Sequence, residues 1–493
     1  MEPKTPPPTP ADAGSGLEEI IELKKAKLAE LRARGVDPFP ARSARTHTCA
    51  QALALGAPLT DAHGAERVVC AGRLVELRDM GKSIFGRLQD QSGRCQVYFK
   101  KDALPEAQFG LVKKDLHVGD FLGVEGVMFK TRTGEVTIAA SAVTMLAKAL
   151  RPLPEKWHGL KDVDTRYRQR HLDLISSPET LQSFLKRSKI ISQIRRTFDG
   201  LGFVEVETPI LLTQAGGAAA RPFETHHNAL GADMVLRIAT ELYLKRLIIG
   251  GFDKVYEVGR IFRNEGIDTR HNPEFTMLEA YEAYSDYNGM AKLFETVVWD
   301  CAQAIGVERV EFFGKTVELK PPFRRIYLPE IWKDKFAEPL EAVLQGKGFD
   351  RKGLTALADK VGIHVGEKTP SAKLFERLFD ERIGPELGPM TFVFDHPTAI
   401  TPLAKLKAGG GESMVERFEC FASGQELSNA YSELNDPQDQ RDRLSEQSRQ
   451  RAEGDADHLT RPAAADLVFE NLPWQVASAA FGFLGPQAMR DEQ

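Results

Sequence analysis

The chain has 493 residues, 42% hydrophobic and 27% charged, with a formal net charge of -5. That length calls for two or three domains with separate cores, and no apolar run approaches the roughly 20 residues that span a bilayer. The net charge excludes a polycation that binds nucleic acid by global attraction, so any such contact must come from local basic surface.

The first elements in chain order are a tail and a helix. Residues 1–16, rich in Pro, Ala and Thr, read as a disordered tail without the apolar core of a signal peptide. Residues 17–34 carry Ile20, Ile21, Leu28 and Leu31 at helical spacing, with lysines and arginines elsewhere. The five cysteines, Cys49, Cys70, Cys95, Cys301 and Cys420, contain no C-x-x-C pair. That argues against a zinc site or a disulfide framework and points to the cytoplasm.

Between residues 66 and 146, five short strand-like runs (67–75, 84–89, 95–99, 121–129 and 136–140) predict a small β-barrel. The oligonucleotide-binding barrel is one candidate among several. Within it Arg78, Phe85, Gln96 and Glu135 combine a ring for stacking with groups for base edges. Residues 148–165, with Arg151, Pro152 and Pro154, read as a linker to a second domain over 166–455. An amphipathic helix over 184–198 and a strand over 203–207, stopped by Pro209, open that domain. Residues 310–389 alternate helices and turns and read as an insertion within it.

Two hairpins carry the chemistry. In the first, residues 255–265 and 271–281 alternate apolar and polar residues, so Glu257 and Arg263 share one face, and Phe275, Glu279 and Tyr281 share one face of the return strand. A guanidinium suits a phosphoryl group, a ring suits a base, and carboxylates suit a cation. The second runs 417–421 and 425–436 and turns at Ser423-Gly424. Its Glu419 and Glu426 are hard oxygen ligands of the kind Mg²⁺ prefers, yet one number is odd and the other even, so strand parity alone does not pair them.

The first hairpin resembles motif 2 of the class II aminoacyl-tRNA synthetases, and the chain from about residue 17 to about residue 455 resembles their bacterial-type lysine branch. The resemblance implies an α+β architecture: an N-terminal OB-type β-barrel, then a class II antiparallel sheet flanked by helices. It also implies ATP-dependent activation of L-lysine, transfer to tRNA(Lys), Mg²⁺ as cofactor, and a homodimer built on the helix, strand and proline near Pro209. By position, the catalytic residue is Arg263, and ATP is bound by Arg263, Arg270, His271 and Phe275. Lysine is bound by Gly217, Glu241, Glu279, Tyr281, Asn429 and Glu433, and the metal by Glu419 and Glu426. The anticodon is read by Arg78, Phe85, Gln96 and Glu135.

The family closes its site with motif 3, a glycine-rich strand leading into a helix that carries an arginine over ATP. Residues 456–493 contain no Gly-x-Gly-x-Gly ahead of an Asp-Arg pair, and Arg461 and Arg490 stand in unrelated settings. The expected consequence is impaired catalysis, and the alternative reading is a synthetase-like tRNA-binding protein without activity.

Overall fold

The computed structural model describes residues 10–60, 63–153, 160–218, 220–267, 271–364, 366, 369–452 and 476–482. Two compact units divide between Gln182 and Ser183. The first helix, α1 (Pro10–Ala33), begins earlier than its apolar spacing suggested.

In the first unit, β1 (Arg67–Asp79), β2 (Ser83–Asp90), β3 (Gly93–Lys100), β4 (Phe121–Lys130) and β5 (Val136–Ala147) close a barrel in the order β1-β2-β3-β5-β4. The small β-barrel expected from the strand spacing is present. Alternate residues such as Leu74, Ile84, Leu88, Val97, Val124 and Ile138 fill its interior, the period-2 consequence of one face being buried. Gly126 is needed here: a Cβ would lie 2.0 Å from the Ala139 carbonyl oxygen, where β4 and β5 shift register.

The second unit is built on an eight-stranded sheet. Its antiparallel centre runs β10 (Thr391–Pro397), β11 (Met414–Ala422), β12 (Gln425–Ser432), β13 (Val476–Gly482), β8 (Glu274–Ala283) and β7 (Lys254–Phe262). One parallel strand is added at each edge, β9 (Arg324–Tyr327) beside β10 and β6 (Val204–Glu205) beside β7, so the sheet is mixed. One face packs on α4 (Pro178–Gly200) and α6 (Tyr287–Ile305) through Phe198, Tyr256, Leu278, Phe294, Phe392 and Phe418. The part of the insertion that includes α7 (Ser371–Arg382) forms a separate core around Trp332, Leu354, Phe375 and Leu378. Helices α5 (Glu241–Ile249) and α8 (Pro437–Ala452) complete the elements that bear on the site. No described helix is long and apolar enough to cross a membrane.

Candidate active site

The β7–β8 hairpin is in perfect register, with Glu257 opposite Glu279 and Ile261 opposite Phe275. Cross-strand partners share a face, so Glu257, Arg263, Phe275, Glu279 and Tyr281 fall on one side, while Tyr256, Leu278 and Ala280 enter the core. Arg263 continues the ladder by donating its backbone N–H to Pro273, and its guanidinium lies 5.3 Å from the centroid of the Phe275 ring. Its Nε is buried without a hydrogen-bond partner among the described residues. A buried donor left unmatched in this way calls for an acceptor.

Glu257 is not available to a ligand. It is buried, accepts from Arg237 Nη1 at 2.6 Å and from Thr208 Oγ1 at 2.6 Å, and Arg237 also donates to the Thr208 and Arg260 carbonyls. Gly259 makes room for this pair, because a Cβ there would lie 2.3 Å from Arg237 Nη2.

A cavity of about 420 Å³ opens on the same face of the sheet, lined among others by Gly217, Glu241, Arg263, Glu279, Tyr281 and Asn429. Gly217 has φ +86, and a Cβ would crowd Glu241 and Ala239 at 3.1 and 3.2 Å. Glycine thus lets the backbone run against the acidic wall. Glu279 is 4% exposed and accepts from the Thr240 amide at 3.2 Å. Burial, reinforced by the charge of Glu241, pushes it up to about 7. Glu433 does not line the cavity: it is fully buried behind it, 2.7 Å from the ammonium of Lys245, which lies 2.6 Å from Glu241.

The second hairpin resolves the parity conflict. Glu419 pairs with Asn429 and Cys420 with Ser428, but Phe421 pairs with Glu426, so Leu427 is an extra residue on β12. This bulge turns Glu426 onto the face of Glu419 and Asn429. Glu426 is exposed on its strand, with Glu419 and Arg417 as its charged neighbours. Arg417 forms an ion pair with Glu419 and donates to Asn429 at 3.0 Å.

Among the described residues no group of three or more acidic, His or Cys side chains could hold a metal by itself. A paired carboxylate set completed by phosphate oxygens and water is, however, what Mg²⁺ takes.

The buried carboxyls give a stability prediction. Between about pH 6.5 and 7.5 the folded chain still holds protons on Glu279 and Glu433 that the unfolded chain has lost, so stability falls as pH rises. His396, lowered to about 4 by burial, acts with the opposite sign only below about pH 6.5. The melting temperature of the ligand-free protein is therefore expected to fall from pH 6.5 to 8.5, and Glu279→Gln should flatten the slope. An unchanged slope in the variant would contradict the assignment.

A family model described as tRNA synthetases class II (D, K and N) matches residues 162–461, and one described as OB-fold nucleic acid binding domain matches residues 68–146. The chain belongs to the class II tRNA synthetases. The lysine--tRNA ligase of Enterococcus faecalis is 45% identical over 446 residues, covering 89% of this chain and 87% of that protein. That of Pelotomaculum thermopropionicum is 45% identical over 444 residues, covering 89% and 85%. That of Carboxydothermus hydrogenoformans is 43% identical over 458 residues, covering 90% of each.

In this class II synthetase, several site residues carried no sequence signal of their own. Arg237 lies outside both hairpins, and Lys245 was visible only as a Glu-to-Lys i,i+4 pair with Glu241. The insertion contributes as well, since Pro370, Ala372, Lys373 and Glu376 wall the cavity. Thr401, Pro402 and Leu403 wall it from the segment leading back to the sheet. His271 sits exposed at the hairpin mouth, and Arg270 lies outside the described residues, as do Arg461 and Arg490.

The tail contributes what its composition did not announce. β13 fills the slot between β8 and β12, sending Ala477 and Ala479 toward the core and lining the cavity with Ser478 and Ala480. Small side chains keep the cavity open at that wall.

On the barrel, Arg78 lies across from Phe85, Phe85 across from Tyr98, and Gln96 across from Arg87. Phe85 and Tyr98 stack at 4.8 Å, Gln96 donates to Thr137 at 3.0 Å, and Glu135 accepts from Arg87 at 2.7 Å. The outward face of three adjacent strands thus presents rings beside polar and charged groups, a pattern suited to unstacked bases.

Proposed function

We propose that this protein activates L-lysine with ATP and transfers it to tRNA(Lys). The observation that carries the reading is the convergence of Glu241, Glu279 and Tyr281 with the unmatched Arg263 in one cavity. The carboxylates balance a substrate bearing ammonium groups, whereas a pocket for aspartate or asparagine would need cationic or amide groups there. Arg263 spans the lysine carboxylate and the α-phosphate. One carboxylate oxygen attacks phosphorus, the bond to the bridging oxygen breaks, and pyrophosphate leaves with that electron pair. Phe275 supports adenine, and His271 and Arg270 reach the outer phosphates. A terminal hydroxyl of tRNA then attacks the activated carbonyl and expels AMP.

Glu419 and Glu426 would hold Mg²⁺, which neutralises phosphate charge when bound. Exchange of pyrophosphate into ATP should require lysine and be negligible with aspartate or asparagine. Exchange driven equally by aspartate would reject the substrate assignment.

Arg78, Phe85, Gln96 and Glu135 read the anticodon. Base–aromatic stacking is worth about 1–3 kcal/mol, so Phe85→Ala should raise KM for tRNA about tenfold or more in aminoacylation, with tRNA-independent exchange as the control. An unaltered KM would remove Phe85 from the interface.

The chain works as a homodimer in the cytoplasm. Leu201, Val204, Ile210 and Leu211 leave apolar side chains exposed around the strand and proline near Pro209, and sedimentation at micromolar concentration tests the association. A second reading, a tRNA-binding protein without catalysis, is favoured by the lack of a motif 3 signature in residues 456–493. tRNA binding with no adenylate formed would select it.

A further inference from the structure

One guanidinium in the cavity wall is engaged on every side by residues of the site itself. Arg417 is 9% exposed and lies on β11, two residues before Glu419 and across from Tyr431. Asn429 on β12 stands opposite Glu419, so all four side chains share one face of the sheet. Arg417 Nε donates to Asn429 Oδ1 at 3.0 Å. Its Nη1 donates to Thr401 Oγ1 at 2.9 Å and to the Ile400 carbonyl at 3.3 Å, and its Nη2 to Glu419 Oε1. Arg417, Asn429, Ile400 and Thr401 all wall the cavity.

We propose that Arg417 is a positioning residue for amino-acid binding, which turns the Asn429 amide so that its NH2 group faces the cavity. The inference rests on the lysine reading above and goes beyond it by naming what orients one of the ligands.

The reasoning is one of donors and acceptors. A guanidinium offers only donors, so the Asn429 atom that meets it is the carbonyl oxygen. The amide nitrogen is thereby left to the cavity that Asn429 lines. Such a donor serves an oxygen of the substrate carboxylate and repels nothing there, whereas Glu241 and Glu279 serve the ammonium groups. Arg417 itself is held from turning: Glu419 fixes one arm of the planar fork, and Thr401 and Ile400 fix the other. With its nitrogens so engaged, it acts on the substrate through Asn429, as groups that orient a ligand-bearing side chain do.

The test measures lysine binding by calorimetry in the full chain, in Arg417→Lys, in Asn429→Asp and in the double variant, without ATP. Arg417→Lys keeps the charge but loses the fork that reaches Asn429, Thr401 and Glu419 together. Asn429→Asp still accepts from Arg417 but has no NH2 group to offer. Each single variant is expected to weaken lysine binding about tenfold, the worth of one hydrogen bond to a charged group. Because Arg417 acts through Asn429, the double variant should bind within about threefold of the weaker single one. Losses that add in full, or unchanged lysine binding in either folded single variant, would overturn the proposal. A purely structural guanidinium would lower the melting temperature of Arg417→Lys and leave the lysine affinity of the folded protein where it was. Where Arg417→Lys does not fold, Asn429→Asp decides alone: weakened lysine binding supports the orientation of the amide, and unchanged binding overturns it. Absence of lysine binding by the unaltered chain would defeat the lysine reading itself, which separates the two failures.

Discussion

Replacing Arg263 by lysine is expected to lower the rate of lysine-dependent pyrophosphate exchange about 10²- to 10³-fold while leaving the melting temperature nearly unchanged. The charge survives, but the planar fork that grips a carboxylate and a phosphoryl oxygen together is lost. Preorganised donors aimed at developing charge commonly contribute factors of that size. Stability should hold because Arg263 stands at the mouth of the hairpin with its Nε unmatched, beside the Phe275 ring. A variant retaining full exchange would show that the α-phosphate is held elsewhere. Arg417, already engaged with Glu419, Asn429 and Thr401, is the nearest alternative to examine.

The largest loss of stability is expected at Arg237. Its guanidinium is 3% exposed and bound to Glu257, which is 5% exposed. Removing one partner of a buried ion pair leaves an uncompensated charge and typically costs about 3–5 kcal/mol. Arg237→Met should therefore lower the unfolding free energy from denaturant titration by that amount, and part of the loss also reflects the Thr208 and Arg260 carbonyls left without a donor. Adding Glu257→Leu should recover a substantial share, since the unpaired carboxylate is then gone. A single variant within 1 kcal/mol of the parent would mean that water reaches Glu257. Because the pair spaces the strand that carries Arg263, exchange should fall as well.

The barrel and the two hairpins were legible in the sequence because their patterns are local. Alternation over a few residues reports a half-buried strand, and it places Phe275, Glu279 and Tyr281 on one face, as the strand pairing does. Glu426 was not legible in the same way. Its parity was changed by a bulge at Leu427, a register shift set by the partner strand and not by composition. Lys245 and Arg237 carry no pattern that marks them as buried, because a buried cation is recognisable only from all the carboxylates it meets, and Glu433 and Glu257 lie outside the segments that hold them. Glu433 shows the reverse case. Resemblance put it among the lysine-binding residues, but the structure sets it one layer back, against Lys245. The strand at Val476–Gly482 lacked a recognisable signature because alanine and serine are weak strand formers, and an open slot between two long strands dictates its place.

The most direct measurement mixes purified full-length chain with ATP, Mg²⁺ and lysine, without tRNA, and quantifies enzyme-bound lysyl-adenylate by mass spectrometry in a single turnover. A cavity that brings Arg263 to the acidic wall predicts adenylate that forms with lysine, is absent with aspartate, and is lost in Arg263→Lys on the same timescale. No adenylate from folded, lysine-binding protein would contradict catalysis by this chain and leave tRNA binding as its activity.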